Sequence, residues 1–282
     1  MNKILIFIAL FSIILSSQAQ DYETILPQGK IPKDFTTKSS SKYLEEISNL
    51  DKTEKKKTRK NKEEFYLVTN YNIDDFLLSG KVIFNDPITL YIDKVLKEIL
   101  KNDQATYQAL RIYTIKSDIP NAFTTNNGMI FVSIGLLAKL ETEAQLAFIL
   151  SHEVIHYKKK HVLDSYLKDS KLESGKEYQK MSSNQKSIIK SSYSKELELA
   201  ADTEGLELFL ESSYQLESIE KVFDLLLAAD QVIMDEEFNY SFLEDNDYVL
   251  EEDLKLTEFD TVQLNSDYED AYNTHPNTDK RK

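Results

Sequence analysis

The chain has 282 residues, which is enough for one sizeable domain with appendages. Its hydrophobic content of 41% and charged content of 29% are typical of a water-soluble globular protein. The net charge of −14 argues against nucleic acid or an anionic membrane as a partner, and the absence of cysteine excludes disulfides, thiol nucleophiles and thiolate metal ligands.

The N-terminus is typical of a secretory signal peptide. An apolar run at residues 4–15 follows one lysine, and it is shorter than the roughly 20 residues that a membrane-spanning helix needs. Ser17 and Ala19 occupy the −3 and −1 positions of a cut before Gln20. Residues 1–19 are therefore predicted to be a signal peptide, with an uncleaved anchor as the alternative. We expect an exported protein, periplasmic or secreted, with no stable membrane insertion after cleavage.

A polar segment follows the signal peptide at residues 20–64. Residues 21–62 hold eleven Lys or Arg and seven Asp or Glu with few apolar residues, which predicts a flexible tether or a propeptide-like lead. The folded domain is expected to begin near Phe65 and to run to residue 282. It includes an acidic insertion at about 235–270, where fourteen acids accompany one lysine. Aromatic and leucine residues are spread through this insertion, so packing as a flap and disorder are both open.

Periodicity predicts the elements of the domain in chain order. Apolar residues at helical spacing predict a helix in `DPITLYIDKVLKEILKN`, after Asp86-Pro87. The stretches `ALRIYTIKS` and `GMIFVSIG` are typical of strands. Three further helices are predicted, the first of them capped by Thr142: `TEAQLAFILSHEVIHYKKKH`, `SKELELAADTEGLELFLES` and `LESIEKVFDLLLAADQVIM`.

Three of the four histidines of the chain lie within residues 152–161. His152 and His156 are four residues apart, so they project from one face of a helix and can hold one Zn²⁺. Glu153 follows the first histidine and is placed to take a proton from water instead of binding the metal. The alternative is a polar surface face of an ordinary helix. The upstream `AFIL` disfavours it, because this stretch buries the helix and makes unpaired polar groups costly.

A catalytic zinc takes three protein ligands, so two histidines leave the site incomplete. No histidine lies six residues after His156, where Val162 stands, which excludes the metzincin arrangement. His161 lies five residues after His156, off the ligand face of a continuous helix, and is interpreted as structural or as a residue that supports a ligand. The third ligand is therefore expected to be a carboxylate from a later helix.

The candidate carboxylates lie in `ELELAADTEGLELF`. Glu198 and Asp202 are four residues apart and share a helix face. Glu198 can complete a His₂Glu site, and Asp202 can hold a ligand histidine by its free ring nitrogen. Glu196 is the rival ligand, although no acid follows it at the same spacing. Taken alone, this motif is better explained by an ordinary acidic helix face, but its position downstream of `HEVIH` favours the ligand interpretation.

These residues resemble a known family. `HEVIH` with `ELAAD` matches the H-E-x-x-H and E-x-x-A-D pattern of gluzincin metallopeptidases. More narrowly, `NAFTTNNGMIFVSIGLL` and `THPNTDKR` are similar to elements of the family that includes the CAAX prenyl protease and the HtpX heat-shock protease. The four matches stand in the right order over residues 121–281. The chain resembles the soluble, exported bacterial branch of that family.

The resemblance implies a fold and a set of roles. The fold is α+β and mostly helical, a zincin-type metallopeptidase domain with a small β-sheet whose edge strand flanks the active-site helix. One zinc ion per chain is held by His152, His156 and Glu198. Glu153 is the general base, and Asp202 does not bind the metal but supports a ligand. The strand at 128–132 offers its edge to an extended polypeptide. The residues implied for this substrate contact are Gly128, Met129, Ile130, Phe131 and Val132.

Two further residues take roles from the resemblance. In that family the histidine matched by His275 lies near the metal and stabilises the oxyanion or regulates metal access. Arg281 is implied to support the same side of the site. The chain ends one residue after Arg281, and the acidic insertion just before `THPNTDKR` is unusual, so the geometry of both residues is open.

The predicted function is zinc-dependent hydrolysis of peptide bonds in exported or misfolded envelope proteins. The alternative is an envelope chaperone or scaffold with a zinc site and little turnover.

Overall fold

The computed structural model describes residues 25–219 and 221–222. Several predicted features lie outside the described residues. They are the signal peptide, the acidic insertion, His275, Arg281 and most of the helix predicted to begin at residue 216. The helices are α1 (Lys33–Thr36), α2 (Ser39–Ser48), α3 (Lys56–Leu78), α4 (Pro87–Ile99), α5 (Gln104–Ala109), α6 (Ile134–Lys139), α7 (Glu143–Lys158), α8 (His161–Glu173), α9 (Lys176–Gln179), α10 (Ser183–Leu210) and a 3₁₀ helix (Leu216–Ile219). The strands are β1 (Val82–Ile83), β2 (Arg111–Ile115), β3 (Ala122–Thr124) and β4 (Met129–Ser133).

The strands form one mixed sheet in the order β1-β2-β4-β3. β1 pairs antiparallel with β2, β2 pairs parallel with β4, and β3 pairs antiparallel with β4. The two strands predicted from the sequence, β2 and β4, are the inner pair. All five residues of β4 are buried, which is typical of a strand covered on both faces.

Helices cover both faces of this sheet. On one face, Ile112, Ile130 and Val132 join a core cluster with α4 and α7. On the other face, Tyr113 and Phe131 pack with buried residues of α3. The α+β, mostly helical fold is thereby confirmed. α7 is the helix that carries `HEVIH`, and it is buried because it packs against the sheet, α4 and α10.

Side-chain caps start two of the predicted helices. Asp86 accepts hydrogen bonds from the backbone N–H groups of Ile88 and Thr89, with a proline at the first helical position of α4. Thr142 and Gln145 form a reciprocal capping box at the start of α7. These caps satisfy N–H groups that have no partner within the helix, which explains why local sequence predicted both starts.

The segment expected to be a flexible tether differs from that prediction over residues 33–64. α1 and α2 are helical there, and α3 begins at Lys56, before the domain start expected near Phe65. The Asp34 carboxylate accepts hydrogen bonds from Arg111 Nε and from the Tyr113 hydroxyl, each at 2.7 Å. The Phe35 ring of the same helix packs against Phe84 and Tyr113. The composition of the segment did not reveal these contacts, because their partners lie about fifty to eighty residues downstream.

The strand at the edge of the sheet is not the one that was predicted. β4, which holds four of the five substrate-contact residues predicted at 128–132, lies between β2 and β3 and has no free edge. β3 folds back onto β4 and takes the edge position beside α7. Gly128 adopts φ +82 in the connecting turn, where a Cβ would lie 2.6 Å from Ala109 O, so its role is to shape this turn.

Within the described part of the chain, no helix is both long enough and apolar enough to cross a lipid bilayer.

Candidate metal centre

The predicted ligand residues meet where α7 packs against α10. His152 Nε2 and His156 Nε2 lie 2.9 Å apart, one helical turn from each other on α7. Glu198 of α10 directs its carboxylate at both rings, with distances of 3.5 Å from Oε2 to His152 Nε2 and from Oε1 to His156 Nε2. The three side chains are 12–14% exposed. Within the described residues, they are the group whose donor atoms could hold a metal ion.

The spacing of these donor atoms fits a tetrahedral zinc ion. Two nitrogen atoms bound to zinc at about 2.0–2.1 Å lie about 3.3 Å apart in that geometry. The distances of 2.9 and 3.5 Å bracket this value, and all three donor atoms lie within 4.8 Å of one another. The His₂Glu donor set is one that catalytic zinc sites use. The residues present therefore fit zinc with small side-chain adjustments.

Each imidazole has a partner on its other ring nitrogen. His152 Nδ1 lies 2.9 Å from Asp202 Oδ1, one turn beyond Glu198 on α10. His156 Nδ1 lies 3.1 Å from His161 Nδ1. α7 ends at Lys158, and the left-handed conformation of Lys160 (φ 55) then turns the chain and brings the buried His161 against His156. Such partners fix the tautomer and ring orientation of a ligand histidine.

The protonation of this cluster follows from burial and from the carboxylates. Burial disfavours a charged His152, but hydrogen bonds to Asp202 and Glu198 outweigh burial and raise the pKa of His152 to about 9. Burial, with the charge of His152 beside it, lowers the pKa of His156 to about 3. Burial also lowers the pKa of His161. Without metal at neutral pH, a protonated His152 therefore donates to His156 Nε2, and His156 Nδ1–H donates to His161 Nδ1.

Glu153 lies beside the ligands, toward the sheet. Glu153 is 7% exposed, and burial raises its pKa to about 7, although the charge of His152 and the nearby Thr124 oppose the shift. Thr124 belongs to the edge strand β3. A carboxyl group whose pKa lies near neutrality can accept and return a proton under physiological conditions. β3 therefore lies beside the same site as the predicted ligands.

α10 approaches α7 closely because small residues line the contact. Ala201 is fully buried, and a Cβ at Gly205 would lie 3.0 Å from both Cα and N of His152. The sequence analysis identified Glu198 and Asp202 but missed Gly205, two turns further along the helix. Its signal was a lone glycine inside a strong helical pattern, which often marks a close approach between backbones.

The rival ligand considered in the sequence does not lie at this site. Glu196 is 69% exposed and lies 3.8 Å from Lys168, on a different face of α10 from Glu198. His275 and Arg281 lie outside the described residues, so their predicted roles are untested.

The family assignment follows from the comparison with known families. Residues 89–282, more than two thirds of the chain, match the model of Peptidase family M48. The chain belongs to this family. The predicted resemblance is thereby confirmed, and M48 peptidases are zinc metallopeptidases. The match begins within α4, so α1–α3 precede the family region.

A curated relative supports the M48 assignment. Over 75 residues the chain is 35% identical to the mitochondrial metalloendopeptidase OMA1 of Schizosaccharomyces pombe. The aligned part is 27% of this chain and 22% of that protein, so the chain spans about a fifth of the relative's length.

Proposed function

We propose that this M48 chain is a zinc-dependent endopeptidase that hydrolyses peptide bonds of exported or misfolded envelope proteins. The observation that carries the proposal is the convergence of His152, His156 and Glu198 beside a buried Glu153. Zinc bound there would supply a Lewis acid that polarises the scissile carbonyl and acidifies water.

In the proposed mechanism the buried carboxylate of Glu153 moves the proton. Its raised pKa suits transfer in both directions near neutral pH. Glu153 takes the proton of the attacking water and donates it to the departing amine. Asp202 and His161 hold the two ligand imidazoles in the orientation that directs Nε2 at the metal.

The edge strand β3 supports an extended substrate. Backbone bonds to β4 use Asn121 and Thr125, since Ser133 N–H donates to Asn121 O and Thr125 N–H donates to Met129 O. In an antiparallel pair such residues alternate with ones whose backbone groups point away, here Ala122 and Thr124. Thr124 also lies close enough to the Glu153 carboxyl to oppose the rise of its pKa, which supports a substrate position beside the predicted base. A peptide strand added along β3 would therefore bring its backbone to the site.

The location of the protein rests on the leader sequence. The apolar run at 4–15 and the small residues Ser17 and Ala19 support export. N-terminal sequencing of the chain recovered from the periplasm or medium should begin at Gln20. Recovery from the cytoplasm with Met1 or Asn2 at the N-terminus would contradict export without affecting the proposed chemistry.

The enzymatic proposal is tested by separating metal binding from cleavage. Wild-type protein should contain one zinc per chain, cleave an unfolded casein-type substrate, and lose cleavage on chelation. Glu153→Gln should keep zinc and lose cleavage by about 10²- to 10⁴-fold, whereas Glu198→Ala should lose the metal as well. Glu196→Ala, an exposed acid on the same helix, is the matched control and should behave as wild type.

Two outcomes would contradict the proposal. Cleavage by Glu153→Gln at the wild-type rate would refute the mechanism. Zinc-loaded wild-type protein that captures unfolded polypeptides without releasing products would favour the chaperone alternative.

A further inference from the structure

The long helix α3 has a solvent-exposed face on which apolar side chains recur. Leu67, Val68, Tyr71 and Leu78 are 51–70% exposed. The helix packs into the protein through its other side, where Phe65, Asn70, Ile73 and Leu77 are buried. An isolated exposed leucine is ordinary on a protein surface, but four large apolar residues on one face of one helix are more typical of a contact surface.

Charged residues flank these apolar residues on the same face. Lys57, Lys60 and Glu64 lie toward the N-terminus of α3, and Asp75 lies toward its C-terminus, all of them exposed. At 100° per residue, they fall within a sector of about 100° together with the four apolar residues, Val68 included. This set of residues is called the outer face of α3. Neither Lys60 nor Asp75 has an ion-pair partner among the residues that the structure describes.

The outer face is complementary to a second copy of itself. A two-fold axis between residues 67 and 68 would set two α3 helices antiparallel and place Lys60 of each copy opposite Asp75 of the other. The same operation sets Glu64 opposite Tyr71, whose hydroxyl can donate to the carboxylate, and brings Leu67 and Val68 together at the centre. A parallel pair would instead set lysine against lysine and aspartate against aspartate, which is unfavourable.

We propose that this face of α3 is a homodimer interface, occupied by α3 of a second copy in antiparallel orientation. Such an interface is isologous, as in most two-fold dimers. α3 has 23 residues and is therefore about 35 Å long, which gives the pair one helix-to-helix contact along its length. The apolar centre provides most of the affinity, because exposed ion pairs contribute little and mainly select orientation. This inference is independent of the proposed peptidase activity.

Charge reversal tests the pairing directly. In sedimentation equilibrium on the full chain, Lys60→Asp and Asp75→Lys should each raise the dimer dissociation constant by about 3- to 10-fold, because each variant sets like charges opposite one another. The double variant, with both changes in one chain, should restore the wild-type value. Val68→Glu should abolish the dimer, while Lys97→Asp, an exposed lysine on α4, should change nothing.

Cysteine substitution tests the orientation, because the chain has no native cysteine. Val68→Cys lies beside the two-fold axis and should cross-link to its own copy under mild oxidation. Leu78→Cys should not, since antiparallel packing separates the two copies of this position by roughly 30 Å. Circular dichroism verifies that each variant is folded.

Three results would overturn the proposal. They are a monomer at every concentration, failure of the double charge reversal to restore association, or cross-linking of Leu78→Cys, which indicates a parallel pair. A monomer in which the Val68→Cys thiol resists alkylation would also overturn the proposal, because another part of the same chain would then cover this face.

Discussion

The Nδ1 atoms of His156 and His161 lie 3.1 Å apart, although the two residues belong to different helices. The turn at Lys160 separates α7 from α8 and swings His161 back toward the ligand face. On a continuous helix, a residue five positions after His156 would point away from it. The break between α7 and α8 thus provides the hydrogen-bond partner of a predicted zinc ligand.

We expect His161 to affect zinc binding through His156. His161→Ala should weaken zinc binding by about 10- to 100-fold, as loss of a supporting partner of a ligand histidine typically does. His161→Gln should recover part of this loss because its amide oxygen can accept from His156 Nδ1–H. Competition with a chromophoric chelator measures both. Val162→Ala, at the half-exposed neighbouring position, is the control, and an unchanged zinc dissociation constant for His161→Ala would assign His161 a purely structural role.

Gly205→Ala should weaken the contact between α7 and α10. Replacing glycine by alanine inside a helix ordinarily stabilises a protein by about 1 kcal/mol. Here the added Cβ would lie 3.0 Å from the backbone of His152, so the helices must separate and carry Glu198 away from the histidines. The variant should therefore unfold at lower urea concentration and bind zinc less tightly. Thr203→Ala, an exposed position on the same helix, should do neither.

The opposite result for Gly205→Ala would be informative. A more stable protein with unchanged zinc affinity would mean that the two helices adjust without moving the ligands.

The metal-free protein should lose stability as pH rises from about 6.5 to 9. The pKa of His152 is raised from 6.5 to about 9 in the folded protein, so its contribution is fully present below pH 6.5 and is lost as pH rises through 9. The pKa of Glu153 is raised to about 7, which acts in the same direction over the lower part of this range. Thermal unfolding in chelator measures the effect.

Zinc should reverse that trend, since metal binding displaces the His152 proton and the apparent affinity rises with pH. His152→Gln should flatten the pH dependence of the metal-free protein. A wild-type melting temperature that climbs from pH 6.5 to 9 in chelator would contradict the protonation assigned to His152.

Asp34 should anchor the N-terminal helices to the sheet. Asp34→Ala removes the acceptor of Arg111 Nε and of the Tyr113 hydroxyl, and the side chain of Asp34 is only 16% exposed. Leaving these donors without their acceptor should cost about 1–3 kcal/mol of the free energy of unfolding. Urea unfolding measures the loss, and Lys33→Ala in the same short helix is the control. Equal stability of the two variants would show that the ionic anchor contributes nothing.

The sequence was a good guide wherever a pattern is local. The start of α7 at Thr142 and the start of α4 after Asp86 were predicted from cap residues that act within one turn. The strands β2 and β4 were predicted from short runs of apolar and β-branched residues. The placement of His152 and His156 on one side of α7 follows from a spacing of four. Each of these features depends on contacts between residues close in the chain.

The errors concern the edge of the sheet and the N-terminal helices, neither of which leaves a clear local pattern in the sequence. The pairing of β3 with β4, which makes β3 and not residues 128–132 the edge, depends on how the chain turns at Gly128. The N-terminal helices were missed because Asp34 finds Arg111 and Tyr113 across the fold. Composition reports the scarcity of apolar residues in a segment, but it carries no information about a distant ionic partner.

By itself, the sequence determined that this chain belongs with zinc metallopeptidases, because two histidines and a glutamate at fixed helical spacing are a local chemical signature. Tertiary structure decided which carboxylate meets the histidines. The packing of α10 against α7 directs Glu198 toward them, whereas Glu196 of the same helix stays exposed. Tertiary structure also decided which strand lies at the edge of the sheet beside α7 and which residue supports His156. These choices depend on the close approach at Gly205 and the turn at Lys160, where backbone geometry outweighs local pattern.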